Sequence, residues 1–503
     1  MRPGSFKLNV ISGLALVLLA GSAEAAQVHY HADGNPWRQR ARKGPDAEVE
    51  GWFYNLGVTG LRVELVEDEK TALVVRHVFE GSPAHRKVEV GDRILGAHGA
   101  RFEVPHRNGY GMEVFGPQGP IEDFANALER AAEKRVLPLT LRRGEKELDV
   151  RLKLPRDFAV AHPSFPGDER SRSEHARLCD WLVEQQRENG SWGSPPEDTF
   201  APLALLASGK AKHRKAVMKN ARFHGRNTDA EGEGGGLVNW RYMSAGIVLS
   251  EVYLATGEKW ILEELEEVRD FLMKSQYVEL SQVNPKVRES HPDAWPRDEM
   301  DAHGGWGHNP GFEGYGPICM LTGQGALALS LMSRCGVEID RERHLAAFAF
   351  LERGTGRNGY VWYEDQPAGQ DDWADMGRTG AAGIANFLAP YDDEAFAKRA
   401  LAHARVIGSH PESFPDTHGS PILGMGFAAL AANTDPASFE RLMSKNRWWF
   451  TLSECTDGTY YYQPNRDNAG YGADSRLSAT AVTAFILAIP TRELHVFGKP
   501  FED

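Results

Sequence analysis

The chain has 503 residues, enough for more than one domain. Its apolar share of 41% and charged share of 25% are ordinary for a chain that buries a core. A net charge of -13 excludes a general nucleic-acid binder, which needs a basic surface, but not a locally basic cleft.

Residues 1–26 read as a secretory signal. Arg2 and Lys7 supply the charged start, Val10–Ala20 the short apolar core, and Ala23-Glu24-Ala25 a small-x-small cleavage site. The apolar run is too short to span a bilayer, and no later run reaches spanning length. The mature protein is therefore expected to be exported, periplasmic or extracellular, with no transmembrane segment. Residues 27–50 are polar and aperiodic and read as a flexible lead-in. Cys179, Cys319, Cys335 and Cys455 are widely and irregularly spaced; they read as buried thiols, with no CxxC zinc pattern.

Residues 51–154 alternate as short strands predict. Leu61–Val66, Ala72–Phe79, Ile94–Ala97, Leu137–Arg142 and Leu148–Leu154 read as strands. Pro120–Glu133 reads as a helix with Ile121, Phe124 and Leu128 on one face. Asn55-Leu56-Gly57 precedes the first of these strands. Gly81-Ser82-Pro83-Ala84 and Val90-Gly91-Asp92-Arg93-Ile94-Leu95 follow. On these motifs the segment resembles a PDZ domain over about 100 residues. The resemblance implies a carboxylate-binding turn at Leu56 and Gly57. It also implies a groove between Leu61–Leu65 and Ile121–Leu128, reaching Phe124, that takes a protein C-terminus as an added strand. Packing or dimerisation is the competing use. His98-Gly99 replaces the usual asparagine-glycine, and the Gly-rich insertion Arg101–Gly119 is placed to cover the groove.

Residues 155–172, with Pro155, Pro163 and Pro166, read as a linker. From residue 173 to 491 the chain reads as helical, followed by a tail at 492–503. Outer amphipathic helices pair with inner apolar ones. Glu174–Glu188 pairs with Thr199–Ser208, and Lys210–His224 with Leu237–Thr256. Lys259–Gln276 pairs with Tyr315–Cys335, and Arg341–Glu352 with Trp373–Ala389. Asp392–Ile407 pairs with Ser420–Ala432, and Ser438–Phe450 with Ala473–Ile489. One unit recurs: a helix end, a glycine stop and an aromatic plug. It is seen in Gly190-Ser191-Trp192, Gly304-Gly305-Trp306, Gly359-Tyr360-Val361-Trp362 and Gly458-Thr459-Tyr460-Tyr461.

Gln185 with Gly190-Ser191-Trp192 resembles the glutamine-tryptophan repeat of the terpenoid cyclase and protein prenyltransferase superfamily. That resemblance implies an (α/α)6 toroid behind a small α+β PDZ-like domain. The combination also resembles uncharacterised exported bacterial PDZ-plus-toroid proteins. Six hairpins close naturally into such a ring, because each must bury its apolar face on its neighbours.

In a toroid the loops before the inner helices open on the cavity. Those loops hold Trp240, Arg241, Tyr242, His308, Glu313, Arg378, Asp416, Tyr471 and Arg476 as candidate substrate-binding residues, with Asp375, His418 and Asp474 as candidate catalytic ones. Asp198, Asp301, His303 and Tyr315 lie in the same loops. A carboxylate at a helix start is also an ordinary cap. Asp301, His303, His308, Cys319 and His418 are zinc-ligand types, though in neither related family's spacing. Asp371-Asp372-Trp373-Ala374-Asp375 spells DDxxD, the diphosphate motif of a different fold, and reads as coincidence. The toroid cyclases' DxDD acid is absent, which disfavours a terpenoid cyclase or prenyltransferase.

Two functions follow. In the first, the PDZ-like module recognises a protein terminus or packs on the toroid, and the cavity binds or processes a polar or anionic polymer such as a glycan. Two carboxylates or an Arg/Tyr/His set would carry the chemistry. In the second, the chain is a non-enzymatic helical scaffold. Arg241, His308, Arg378, His418 and Arg476 are expected at one mouth of the toroid, with Asp375, Asp416 and Asp474 beside them.

Overall fold

The computed structural model describes residues 52–107, 117–155, 166–232, 236–366, 376–415, 417, 421–463 and 476–501. The expected signal sequence and lead-in, most of the linker, the DDxxD stretch, and Asp375, Asp416, His418, Tyr471 and Asp474 lie outside them.

An N-terminal antiparallel sheet contains β1 (Trp52–Asn55), β2 (Leu61–Leu65), β3 (Leu73–Val78), β4 (Arg93–Ala97), β5 (Ala100–Arg101), β6 (Val136–Arg143) and β7 (Lys146–Lys153). The order is β1-β2-β3-β4-β6-β7, with β5 on β4. In β6, alternation sends Leu137, Leu139 and Leu141 inward. Helix α1 (Pro120–Ala131) buries Ile121, Phe124, Ala125 and Leu128 in the same core. The turn Val90-Gly91-Asp92 is held by Arg143, which makes two 2.8 Å bonds to the Asp92 carboxylate.

The expected peptide groove is closed. β2 pairs with β3 on one edge and β1 on the other, so no edge is left for an added strand. Leu56, Leu61, Phe124 and Leu128 are fully buried. Gly57 faces the helical region, where a Cβ would lie 2.7 Å from the Thr451 carbonyl. The sequence reading missed β1, which is four residues long and lies next to the lead-in.

Beyond Gly167 the chain is helical: α2 (Glu169–Gln185), α3 (Glu197–Ala207), α4 (Ala211–Gly225), α5 (Val238–Thr256), α6 (Trp260–Ser275), the short α7 (Val287–Ser290), α8 (Cys319–Arg334), α9 (Arg341–Arg353), α10 (Met376–Leu388), α11 (Glu394–Ser409), α12 (Pro421–Ala432), α13 (Pro436–Lys445), α14 (Arg447–Ser453) and α15 (Arg476–Ala488). Asp168 caps α2 by accepting from Ser171 N at 2.7 Å, so this helix begins inside the expected linker. The single helix expected over Ser438–Phe450 is broken at Asn446, whose side-chain amide bonds the carbonyls of Pro411 and Leu442.

Among the described residues, α3, α5, α8, α10, α12 and α15 are the inner helices, buried almost throughout. Each packs on the next, and α15 packs back on α3, closing a toroid-like ring. Small residues permit the approach: a Cβ on Gly380 would lie 2.4 Å from the Phe427 backbone.

The recurring unit is one hydrogen-bonded turn. Gly190, Gly304, Gly359 and Gly458 all take left-handed φ, from +80° to +102°. Two residues on, the backbone N–H donates into the start of the next inner helix. Trp192 donates to Asp198 Oδ1 at 2.7 Å; Trp306, Val361 and Tyr460 donate to the Thr322, Thr379 and Thr480 hydroxyls, each at 3.0 Å. The plug of the third copy is thus Val361. The glutamine that closes the first turn is Gln186, bonding the Gly190 carbonyl at 2.9 Å, not Gln185, which is exposed. Gln276 does the same to Gly304 at 2.7 Å.

The C-terminal residues are not a free tail. Glu251, fully buried on α5, accepts from Val496 N at 2.7 Å and His495 N at 3.3 Å. Asn433 bonds the Phe497 carbonyl, and Arg334 lies over the Phe501 ring. The segment thereby packs against α5, α8 and the residue that follows α12.

Two predictions follow from these contacts. Gly190→Ala needs both a left-handed alanine and relief of a 2.4 Å contact with the Lys219 carbonyl. It should cost more than about 2 kcal/mol, against roughly 1 kcal/mol for Gly359→Ala, whose Cβ meets only the Val406 side chain; denaturant titration ranks the two. Burial pushes Glu251 up to about 7. A carboxyl raised on folding stabilises the fold while protonated. That contribution, of order 3 kcal/mol, is lost as pH rises from about 4.5 to 7. Thermal melts of Glu251→Gln should lack this part of the pH dependence; an unchanged slope would contradict the assignment.

Candidate functional site

The opposite end of the ring holds a cavity of about 740 Å³. Its wall is drawn from the start of every inner helix: Pro196 before α3, Trp240 and Arg241 on α5, Met320 on α8, Arg378 on α10, Ile422 and Leu423 on α12, and Ser478 on α15. His308, Tyr315 and Tyr363 join it from the loops. Ser478 donates to Glu197 on α3, and Glu197 also accepts from Ser194 N at 2.9 Å, so the ring's two ends meet at the cavity wall.

Four aromatic groups form one hydrogen-bonded chain. Trp240 Nε1–H donates to His308 Nδ1 at 2.8 Å. An indole nitrogen can only donate, so Nδ1 is the acceptor and the proton of the neutral ring sits on Nε2. Nε2–H points at Tyr315 Oη, 2.5 Å away, and Tyr363 O–H donates to the same Oη at 2.9 Å. Local structure sets this up. Asn239, in the first turn of α5, bonds the carbonyls of Gly307 and Asn309 and so holds the His308 loop. Cys319 N, at the start of α8, donates to the Tyr363 carbonyl at 2.8 Å. Burial lowers His308 and raises Tyr363, so the imidazole is neutral and the phenol protonated at neutral pH.

Of the expected residues, Trp240, Arg241, His308 and Arg378 come together here. His308, being neutral, is not a third cation. Tyr242 is a core residue: its ring stacks on Phe271 and its hydroxyl donates to the Asp229 carbonyl at 2.8 Å. Glu313 is exposed and accepts from Asn284, away from the cavity. Arg476 is buried and paired with Asp457 at 2.9 Å, in the fourth repeat turn, and does not line the cavity. Asp198 serves the first repeat turn, accepting from Ser191 and Trp192, with burial pushing its carboxyl up to about 6. Tyr315 lies in one of the loops that the sequence marks, whereas Tyr363 carries no motif of its own. Its signal was only its place after the third plug, in an aromatic run.

Tyr315 also borders a smaller acidic cavity of about 250 Å³ with Asp293, Asp301, Glu364 and Asp365. Asp301 pairs with Arg297 and Asp365 with Arg353, each at 2.9 Å. Among the described residues no three His, Cys, Asp or Glu side chains are grouped to hold a metal ion. Cys319, one of the expected zinc-ligand types, is buried against the Glu364 carbonyl, and burial raises its thiol.

Fold and site define the class: a toroid-like helical ring whose cavity is lined by aromatic side chains and two arginines among the described residues, joined to a small antiparallel sheet. A family model for a domain of unknown function, DUF6288, matches residues 175–498, and the chain belongs to that family. No curated protein matches it. Among solved structures the chain is similar to an inactive variant of an α-1,6-mannanase of Salegentibacter sp. in complex with α-1,6-mannotriose, at 11% identity and TM-score 0.43, covering 63% of this chain and 98% of that one. It is similar to a polysaccharide lyase at 9% identity and TM-score 0.44, covering 63% and 97%. It is also similar to a type II terpene cyclase of Scytonema at 13% identity and TM-score 0.39, covering 64% and 98%. At this level of similarity none of them assigns a ligand. No helix of the described residues is long and apolar enough to cross a membrane.

The tautomer is directly measurable. Nitrogen-resolved histidine spectra at pH 7 should show His308 neutral with its proton on Nε2, and Trp240→Phe should convert it to a tautomer mixture. A wild-type proton on Nδ1 would contradict the chain of donors.

Proposed function

We propose that the protein, once exported, binds and processes an acidic polysaccharide in the toroid cavity. One observation carries this: Arg241 and Arg378 line the same cavity on which the starts of all six inner helices converge. Each helix start carries partial positive charge on its unpaired N–H groups, so the mouth favours an anion. A guanidinium has five N–H donors in a planar fork whose geometry suits a carboxylate. Trp240, Tyr315 and Tyr363 offer faces on which sugar rings stack. The N-terminal sheet supports this reading as a packed module: Glu129 of α1 bonds Arg447 and Thr451 of α14, and Gln463 bonds Asn55. Asp375, His418 and Asp474 remain proposed partners at the same mouth.

The apolar part of the wall, Ile318, Met320, Ile422 and Leu423, favours a second reading, an amphipathic acid with its chain against these residues.

Binding titrations separate these readings. Acidic glycans should bind and neutral ones should not. Arg241→Gln and Arg378→Gln should each weaken binding by roughly 10-fold or more, as for a lost hydrogen bond to a charged group. Equal affinity for neutral glycans would sink the acidic reading, and stronger binding of a long-chain fatty acid would favour the second.

A further inference from the structure

We propose that Tyr315 is the proton-transfer residue of a β-elimination that cleaves uronate-containing polysaccharides, an inference that rests on the acidic-glycan reading of the cavity. The motivating feature is an asymmetry in the hydrogen-bonded chain. His308 Nε2–H and Tyr363 O–H both donate to Tyr315 Oη, at 2.5 and 2.9 Å. Trp240 enforces the first donation by occupying His308 Nδ1. The Tyr315 oxygen is therefore where the chain's donors converge, and it lines the cavity. An oxygen so placed can carry negative charge without rearrangement of its surroundings.

Elimination needs this arrangement beside a cation. In a uronate the proton on C5 lies next to the carboxylate, and a guanidinium on that carboxylate makes the C5 proton removable. Arg241 and Arg378 are on the same wall. Tyr315 Oη takes the C5 proton while its own O–H proton passes to the departing glycosidic oxygen. The released electron pair forms the C4=C5 double bond, and the C4–O bond to the neighbouring sugar breaks. Tyr315 ends the step in the protonation state in which it began. Atoms and charge balance, and no water is consumed. The step requires no carboxylate pair, in keeping with a lining that among the described residues holds Arg, His and Tyr as its titratable groups. His308 and Trp240 act through Tyr315 and are positioning residues.

The experiment incubates the full mature chain with polygalacturonate, alginate and hyaluronan in oxygen-labelled water. It follows binding, the ultraviolet absorbance of the conjugated C4=C5 product, and label in the new ends. Elimination should appear on at least one polymer, with no label incorporated. Tyr315→Phe should lose it by about 100-fold or more with binding within about threefold. Tyr363→Phe, a milder change, should lower kcat by roughly 10-fold with little change in KM, as for removal of one donor to a charged oxygen. Trp240→Phe should shift the pH profile of kcat. Binding without cleavage, or cleavage with label in the product, overturns the elimination and leaves the acidic-glycan reading standing. No binding to any of the three overturns both. Undiminished elimination in folded Tyr315→Phe or Tyr363→Phe overturns the assignment to Tyr315.

Discussion

The helical region depends on one backbone device, a left-handed glycine followed two residues later by an N–H that caps into the next inner helix. In the first copy Gly190 turns the chain and Trp192 N–H reaches Asp198; in the second Gly304 turns it and Trp306 N–H reaches Thr322. The constraint is partly steric and partly polar. A side chain at Gly190 would meet the Lys219 carbonyl, and the plug's buried N–H needs an acceptor where there is no water. Satisfying both fixes the angle at which an outer helix hands over to an inner one. Copies of that hand-over bend a row of hairpins into a ring.

The ring's chemistry follows from its polarity. The inner helices run the same way, so their starts share one end and their finishes the other. At the finishing end buried Glu251 holds the C-terminal segment. At the starting end the cavity stays open and receives Trp240, Arg241, Met320, Arg378 and Ser478 from successive helices. The loops at that end supply His308, Tyr315 and Tyr363.

The N-terminal sheet shows how a motif can persist without its expected use. The turn at Gly57 and the Gly91-Asp92 turn are formed. Yet β1 occupies the free edge of β2, and Thr451 on α14 crowds Gly57. The sheet is thereby built into the wall next to the chain segment that leads to α15, through Asn55 and Gln463.

The sequence by itself determined what is local. Continuous apolar runs rich in small residues marked each inner helix to within a few residues, because a helix buried on nearly every side has few positions left for charge. The glycine stops were legible because left-handed φ excludes most other residues. Tertiary structure decided what depends on partners far along the chain. Gln186 rather than Gln185 closes the first turn because the helix's rotation in the ring points it at Gly190 and Ala216. Arg476 turned to Asp457 while Arg378 reached the cavity, although both begin inner helices. Tyr363 became a site residue because α8 binds its carbonyl, through a contact 44 residues away. Spacing cannot encode such choices: they are settled by which side chains ring closure brings within hydrogen-bond reach.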